Sequence, residues 1–240
     1  MDLLVDSSGL FFDGLVWTFK LALLTLFFAT AISMIVGVMS VTGLRLLRAV
    51  ALIYVEFFRD IPLLVSLFFV YFGAPLIGIP LDPFAASAAT LSLWGGANGA
   101  EIVRGGFNSI PQHQRTSAAA LGLKPWEIYW FVLAPQALLP IIPPFTGLFT
   151  LLIQSTSLAA LIGVPEFFRI AQIVVERTTM IEGHSPAFLV FGVVLLVYYA
   201  ICSVLNLGTR KLEQYMHTRT ARTVVSAEVQ IIDRRAEESV

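Results

Sequence analysis

The chain has 240 residues, of which 57% are hydrophobic and 13% are charged, and its mean hydropathy is +0.83. This apolar share is too high for a soluble globular domain, whose hydrophobic content normally lies near half or below. The net charge is −1, and we expect no nucleic-acid partner. The composition therefore indicates an integral membrane protein.

Five apolar runs are long enough to cross a bilayer as helices, because a hydrocarbon core of about 30 Å needs about 20 residues. We place these spans near residues 15–40, 51–73, 84–103, 138–162 and 187–208. The second run contains a charged string that ends at Asp60, and Pro62 is expected to start or kink its membrane-embedded part. The predicted fold is an all-α polytopic membrane protein with about five transmembrane helices.

Lysine and arginine are unevenly distributed between the two sides of these spans, and cations in short loops resist translocation. One side collects Arg45, Arg48, Arg59, Arg104, Arg115, Lys124, Arg210, Lys211, Arg219, Arg222, Arg234 and Arg235. That side is predicted to be cytoplasmic, with the amino terminus outside and the carboxyl terminus inside. The predicted organisation is a transmembrane domain at 1–211, with a cytoplasmic loop at 104–137, followed by a cytoplasmic tail at 212–240.

The most informative polar segment lies at 112–135, within this cytoplasmic loop, and we call it the docking loop. Ser109 and Gln112, with Pro111 between them, have the spacing of a capping box, which predicts a helix start. The alanine-rich residues that follow favour a helix. Gly122 then predicts a helix stop in the left-handed conformation.

A second helix of the docking loop is expected from about Pro125 to about Pro135. Apolar and aromatic side chains recur in it at spacings of three and four, at Trp126, Tyr129, Trp130 and Leu133. Such a face suits insertion into a groove on another protein, because this kind of recognition uses few anchors at helical spacing. The alternative is a helix that lies among lipid headgroups, with its tryptophans as interfacial anchors.

At these residues the chain resembles the permease subunits of binding-protein-dependent ABC importers, in the branch for polar amino acids. The cytoplasmic motif of that family reads Glu-Ala-Ala, three residues, Gly, nine residues and Ile-x-Leu-Pro, and it forms the coupling helices that dock on the ATPase. Further similarity covers 54–64, 100–106 followed by 109–111, and 155–159 with 162–166. The resemblance assigns ATPase coupling to Thr116, Ser117, Ala118, Ala119, Gly122, Leu123, Pro125, Trp126 and Pro135.

Two departures from this motif affect the expected coupling. With Gly122 aligned, the leading Glu of the motif falls on Thr116, so the acidic contact that the family normally makes is missing. The first Ala falls on Ser117, and the closing Leu-Pro reads Ala-Pro at Pro135. The proline is therefore kept, while the acid is replaced by a hydroxyl.

The resemblance implies a type I ABC importer permease fold in the bacterial inner (cytoplasmic) membrane, and a transporter subunit instead of an enzyme. It implies ABC ATPase subunits, a second identical or related permease, a periplasmic or extracellular substrate-binding protein, and membrane lipid around the helices. The chain has no Gly-x-x-x-x-Gly-Lys-Ser/Thr loop, so no cofactor is expected in it, and ATP and Mg²⁺ are expected on the partner ATPase. The implied function is import of a polar L-amino acid by alternating access.

Polar groups inside the spans are candidates for the transport pathway, because burying them against lipid is costly. The predicted substrate pathway consists of Asn98 in the third span and Gln154, Ser155, Thr156 and Ser157 in the fourth. For the small residues around Asn98, helix packing is an equal alternative. The family often has a charged pair where this chain has Gln154 and Ser155, so any substrate charge must be met by other residues.

Four charged residues near the membrane boundary are candidates for structural ion pairs or for gating: Glu56, Arg59, Glu101 and Arg104. Glu101 and Arg104 are three residues apart on one helix and can pair, which favours the structural role. On the outer side, Glu166, Arg169 and Glu176 are expected to offer charge to a binding protein or to form a solvated face.

Two other function classes are weaker. A secondary, ion-coupled amino-acid carrier is the main alternative, and it would be expected to have internally repeated halves and an intramembrane carboxylate pair. A membrane-embedded enzyme would need clustered His, Cys or carboxylates, whereas the chain has three His and a single Cys. Cys202 lies inside the last span and is predicted to be a buried apolar residue.

Overall fold

The computed structural model describes residues 7–237, with side chains up to Lys211 and at Gln214. The outer ends of the two predicted domains, at 1–6 and 238–240, lie outside the described residues. Every regular element in the described range is helical. The elements are α1 (Ser8–Val41), α2 (Arg45–Asp60), α3 (Leu63–Gly73), a 3₁₀-helix (Ala74–Ile77), α4 (Pro83–Asn108), α5 (Gln112–Ala120), α6 (Pro125–Glu127), a π-helix (Ile128–Leu133), α7 (Ala134–Ser155), a 3₁₀-helix (Thr156–Ile162), α8 (Phe167–Glu182) and α9 (Ala187–Glu237).

Within the described range, three helical segments are long and apolar enough to cross a membrane: α1, the continuous run Pro125–Ile162, and Ala187–Lys211 of α9. The bent pair of α2 and α3 adds a fourth. The remaining expected span corresponds to α4, which has 26 residues, enough to span about 39 Å at the usual helical rise. Small and polar residues dilute the apolar character of α4, and 13 of its 26 residues are buried.

The second expected span is not the continuous helix predicted at 51–73. Its two parts, α2 and α3, meet at an angle of 100°. Pro62 has no backbone N–H and disfavours the helical conformation in the residue before it. Ile61 accordingly is extended, with φ −87° and ψ 129°. The kink expected at Pro62 is therefore observed, and it is sharp enough to divide the span.

α1 is apolar on all sides, and its buried face consists mostly of small residues. The buried positions are Gly14, Thr18, Leu21, Ala22, Thr25, Ala29, Ser33, Gly37 and Ser40. Large side chains face outward instead, including Phe12, Leu23 and Phe27, each about two-thirds exposed. Lipid solvates large apolar side chains as well as a protein interior does, so helices in a membrane approach each other through small residues.

α1 packs along α4 through these small residues. Ser33 donates a hydrogen bond to the carbonyl oxygen of Gly96 at 3.3 Å, and a Cβ atom at Gly37 would lie 2.5 Å from the Cβ of Val103. A side chain at Gly99 would overlap Ser33. Ser33 pairs with Gly96 and the later Gly37 pairs with the later Val103, so the two helices run in the same direction. On this face, the small residues of the third expected span serve helix packing.

The helix stop predicted at Pro135 is wrong, because Pro125–Ile162 forms one continuous helical run. Pro135 lies in the first turn of α7, directly after the π-helix. A π turn is wider than an α turn, so it accommodates a ring that lacks an N–H and would otherwise clash with the carbonyl four residues earlier. α7 then continues through three further prolines, Pro140, Pro143 and Pro144.

The end of the molecule opposite the docking loop is closed by α8. This helix packs against the first turns of α1 and α9 through a buried cluster of Phe167, Ala171, Val174, Val190 and Val194, with Phe11 and Leu15 of α1 beside it. α9 then extends to Glu237, well into the predicted tail at 212–240. The tail thus begins as a continuation of the last helix.

Candidate functional site

The docking loop forms two helical arms joined by a tight turn. α5 ends at Ala120, and Gly122 has a left-handed backbone with φ +85°, as its position after an alanine-rich helix predicts. The amide of Leu123 then donates to the carbonyl of Ala118 at 3.3 Å. The second arm starts where the Glu127 carboxylate accepts a hydrogen bond from the Lys124 amide at 2.6 Å. The turn is therefore fixed on one side by a backbone hydrogen bond and on the other by the Glu127 side chain.

The capping box predicted for the first arm is not formed. Ser109 donates its hydroxyl to the carbonyl of Gly106 at 2.8 Å, at the end of α4. Pro111 stands at the N-cap of α5 without a side-chain cap. The helix nevertheless begins at Gln112 as predicted, since proline has no amide donor there that would need a partner.

The base of the docking loop is held in place by a small buried cluster and one hydrogen bond. Ala118, Ile128 and Leu133 are buried together, with Phe107 and Tyr129 packed against them. The Tyr129 hydroxyl donates to the carbonyl of Val41 at 2.6 Å. That carbonyl belongs to the last residue of α1, so the loop is attached directly to the end of a membrane helix.

The aromatic face predicted for the second arm is divided between two directions. Tyr129 and Leu133 turn inward, whereas Trp126 and Trp130 are 54% and 67% exposed. Phe131, which the helical spacing did not select, is 68% exposed beside them. The π-helix changes the rotation per residue, so the α-helical spacing used for the prediction does not apply there. The exposed aromatic surface consists of Trp126, Trp130 and Phe131.

The motif residues of α5 differ in their exposure. Ala118 is buried in the base cluster, while Thr116, Ser117 and Ala119 are exposed. The Thr116 hydroxyl donates to the carbonyl of His113 at 3.0 Å, within its own helix. Thr116 stands where the family motif has an acid, and its hydroxyl donates within its own helix.

The five predicted pathway residues fall into two separate places. Asn98 lines a cavity of about 470 Å³ between α2, α4 and α7, together with Arg59 and Glu101. Its side-chain amide donates to the carbonyl of Trp94 at 2.9 Å. Gln154 does not line this cavity and lies against α9, with its amide 3.8 Å from the sulfur of Cys202. The structure thus does not bring the two groups together.

The hydroxyl residues after Gln154 bond to their own helix. Ser155, Thr156 and Ser157 each donate to a carbonyl three or four residues earlier, at 2.7–2.8 Å. Thr156 is fully buried, and its neighbours are partly exposed. Cys202 is buried, as predicted from its place in the last span.

The charged residues at the membrane boundary form one ion pair. Arg104 donates to Glu101 through Nε at 2.9 Å and through a second nitrogen, so the guanidinium grips the carboxylate with two bonds. Glu56 and Asp60 are exposed and have no ion pair within the described part of the chain. Arg59 faces the cavity that Asn98 lines.

A buried carboxylate at the start of α8 was not recognised from the sequence. Glu166 is fully buried and accepts hydrogen bonds from the amides of Phe168 and Arg169, at 2.9 and 2.7 Å. It also accepts from the Tyr198 hydroxyl of α9 at 3.0 Å and lies 3.5 Å from the Thr18 hydroxyl of α1. Burial raises its pKa to about 7, although these hydrogen bonds favour the charged form.

Glu166 therefore offers no charge to a partner, contrary to the sequence prediction. An acid just before an apolar helix is a recognisable N-cap signal, but its burial depends on α1 and α9, which are far away in sequence. Arg169 and Glu176 remain at the surface, 3.9 Å apart. Of the three outer charges, these two are accessible.

Known proteins resemble this chain over most of its length. The family model described as "Binding-protein-dependent transport system inner membrane component" matches residues 29–216. The probable amino-acid ABC transporter permease protein YckA of Bacillus subtilis is 32% identical over 216 residues, which cover 90% of this chain and 93% of that protein. The glutamine transport system permease protein GlnP of Escherichia coli is 32% identical, with 86% of this chain and 93% of that protein covered.

Solved structures show the same fold at lower sequence identity. An amino acid ABC transporter crystallised with histidines superposes with a TM-score of 0.79 at 24% identity, over 88% of this chain and 96% of that one. The inward-facing MetNI methionine ABC transporter superposes with a TM-score of 0.70 at 19% identity, over 87% and 97%. The permease fold predicted from the sequence is confirmed, and the chain belongs to the family of binding-protein-dependent transport system inner membrane components, the ABC transporter permeases.

Proposed function

We propose that this chain is the membrane subunit of an ATP-driven importer that moves a polar L-amino acid by alternating access. Family membership supports the coarser part, an importer permease that works with ATPase and substrate-binding partners. The names of relatives, which include amino-acid and glutamine permeases, support the substrate class. The docking loop is the single structural observation that carries the coupling proposal.

The docking loop has the properties that a coupling element needs. Its outer surface presents Trp126, Trp130 and Phe131, each more than half exposed, on a helix that is followed directly by a membrane-spanning segment. Few aromatic anchors at helical spacing suit a groove on a partner protein. Its inner surface is packed against the membrane helices, so a displacement of the outer surface cannot be absorbed by a flexible linker.

Force applied to the loop would reach two membrane helices. The hydrogen bond from Tyr129 to Val41 connects the loop to α1, and the base cluster connects it to Phe107 at the end of α4. α1 and α4 are closely packed over several turns through small residues. The proposed mechanism is therefore a movement of α1 and α4 as one unit when the partner ATPase closes and opens.

The partner ATPase is proposed to hold ATP and Mg²⁺. A second permease chain, identical or related, is proposed to complete the pathway, with lipid around the outer helices. A binding protein is proposed to meet the end closed by α8, where Arg169 and Glu176 are accessible. In this proposal the docking loop and the carboxyl terminus lie in the cytoplasm and the amino terminus lies outside, with the chain in the inner membrane.

For the substrate pathway, we propose the cavity lined by Asn98, Arg59 and Glu101 as one part and the 154–157 segment as another. The cavity offers an amide, a cation and an anion, which are the groups that a zwitterionic polar molecule can use. The 154–157 segment offers only neutral polar groups. The proposal of an ion-coupled carrier has no comparable support, since YckA is described as an ABC transporter permease and GlnP as a transport system permease.

Affinity purification tests the coupling surface. The full chain and a Trp126→Glu/Trp130→Glu variant would be purified from native membranes in mild detergent, and the co-purifying proteins identified by mass spectrometry. Leu76→Glu is the matched control. This apolar residue is 87% exposed and lies in the 3₁₀-helix between α3 and α4, away from the docking loop. We expect an ATPase subunit with the parent and the control, and its loss with the double variant.

Two results would contradict this proposal. If the well-folded parent brings down no ATPase, the importer assignment fails. If the double variant keeps the ATPase, the coupling proposal fails. Tryptophan fluorescence of the two single variants, each of which keeps one tryptophan in the loop, would then show whether the second arm lies among lipid headgroups.

A further inference from the structure

A cavity of about 480 Å³ lies behind the docking loop, at the end of the molecule where α1 ends and α2 begins. Its walls come from α1, α2, α4, α5 and the π-helix. The lining residues that matter here are Ser40, Arg48, Leu52, Arg104, Arg115 and Tyr129. The cavity is separate from the one that Asn98 lines.

Three arginines from three different helices line this cavity, and no acidic residue lines it. Arg104 is the one with an acidic partner, Glu101, outside the lining. Arg115 stacks over the Tyr129 ring, with its guanidinium carbon 5.3 Å from the ring centre. Arg48 and Arg115 make no ion pair with any acid in the described part of the chain. Like charges brought to one cavity repel each other, so the arrangement favours a bound anion.

We propose that this cavity binds the phosphate of an anionic phospholipid headgroup. The guanidinium group presents paired donors that match phosphate oxygens, and basic pockets between membrane helices characteristically hold such headgroups. This inference goes beyond transport, because it concerns how the permease contacts its membrane.

The position and the shape of the cavity favour a lipid over a soluble phosphate. It lies at the ends of α1 and α4, which correspond to two of the predicted spans, and the headgroup layer is expected where such helices end. Leu52 forms an apolar part of the wall, and Ile53, the next residue of α2, is 67% exposed. An acyl chain can lie against Leu52 and Ile53, whereas a free phosphate would use only the cationic part of the cavity.

A bound lipid would connect α2, α4 and α5 through one headgroup. Arg115 belongs to the first arm of the docking loop, and its partner ring, Tyr129, anchors the second arm to α1. Occupancy of the cavity would therefore stabilise the loop in its attached position. Loss of the lipid would leave Arg48 and Arg115 without an anionic partner beside the loop.

Native mass spectrometry of the full chain in neutral detergent tests this proposal. The chain would be equilibrated with phosphatidylglycerol or phosphatidylcholine carrying identical acyl chains, and the bound lipid counted. The test variant is Arg48→Gln/Arg115→Gln. The matched control is Arg45→Gln/Lys124→Gln, which removes the same charge from exposed positions of α2 and the docking loop outside the cavity.

The parent and the control are expected to retain one phosphatidylglycerol in preference to phosphatidylcholine. The test variant should bind it about 25-fold more weakly, since each of the two arginines near an anionic headgroup contributes about fivefold. Arg48→Lys/Arg115→Lys, which keeps both charges, should recover much of the binding and exclude misfolding as the cause. Equal binding of the two lipids, equal loss in the control, or complete displacement by millimolar inorganic phosphate would overturn the proposal.

Discussion

Replacement of Glu166 by glutamine tests the buried network at the start of α8. The carboxyl group lies outside the predicted spans, is 0% exposed and receives hydrogen bonds from three helices. Burial raises its pKa from the ordinary value of 4.5 to about 7, because the charged form loses its hydration. Between these two pH values, the native protein holds a proton that the unfolded chain has released.

The sign and size of the effect follow from this difference. Stability falls with rising pH wherever the native state binds more protons than the unfolded state. Glu166 should therefore lower the free energy of unfolding as the pH rises from 4.5 to about 7, by about 3 kcal/mol in total, since one pH unit corresponds to about 1.4 kcal/mol. Below and above this window its contribution is constant. Glutamine does not titrate, so Glu166→Gln removes this component.

Thermal unfolding in one detergent, measured across this pH window, provides the assay. The control is Glu176→Gln, which changes an acid on the same helix whose side chain is 60% exposed. The parent and the control should lose stability together as the pH rises, while Glu166→Gln should show a flatter profile. If Glu166→Gln loses stability as steeply as the parent, the buried carboxyl is not the titrating group and the argument is refuted.

Three further predictions concern packing and the docking loop. Gly99→Leu should destabilise the α1–α4 contact by about 1–3 kcal/mol. Gly105→Leu on the same helix should be tolerated, because no atom lies within 4 Å of the added Cβ. Thermal unfolding of the two variants distinguishes these outcomes. Tyr129→Phe should cost about 1 kcal/mol in the same assay, because it removes the hydrogen bond that attaches the loop to α1. Gly122→Ala should cost about 1–2 kcal/mol from backbone strain alone, since its φ is +85° and no neighbour would be touched; Gly122→Asn should cost less, and equal values for the two would contradict the strain argument.

Local sequence signals were sufficient where a single residue determines the backbone. Gly122 has the left-handed conformation expected of a helix stop, and Pro62 produces the expected kink. Both effects depend on the residue's own covalent structure, so a single sequence reveals them. The size of the bend at Pro62, 100°, depends on how α3 packs against α4, which the sequence does not specify.

Features that depend on distant contacts were missed. The π-helix at Ile128–Leu133 turns Tyr129 toward the end of α1, and this partner lies 88 residues earlier. Glu166 has the sequence of an ordinary helix cap, but Thr18 and Tyr198 bury it. Asn98 and Gln154 both carry a polar amide side chain, and only the fold shows that one lines a cavity and the other lies near Cys202. Burial and orientation across helices are tertiary properties that spacing along one helix does not contain.

Reconstituted transport tests the central claim most directly. The chain would be placed in proteoliposomes with the ATPase that co-purifies with it and with its binding protein, and uptake of radiolabelled polar L-amino acids measured with and without ATP inside. We predict uptake that requires both ATP and the binding protein and that is lost in Trp126→Glu/Trp130→Glu. Uptake driven by an ion gradient without ATP, or ATP-driven uptake that the double variant retains in full, would contradict the account.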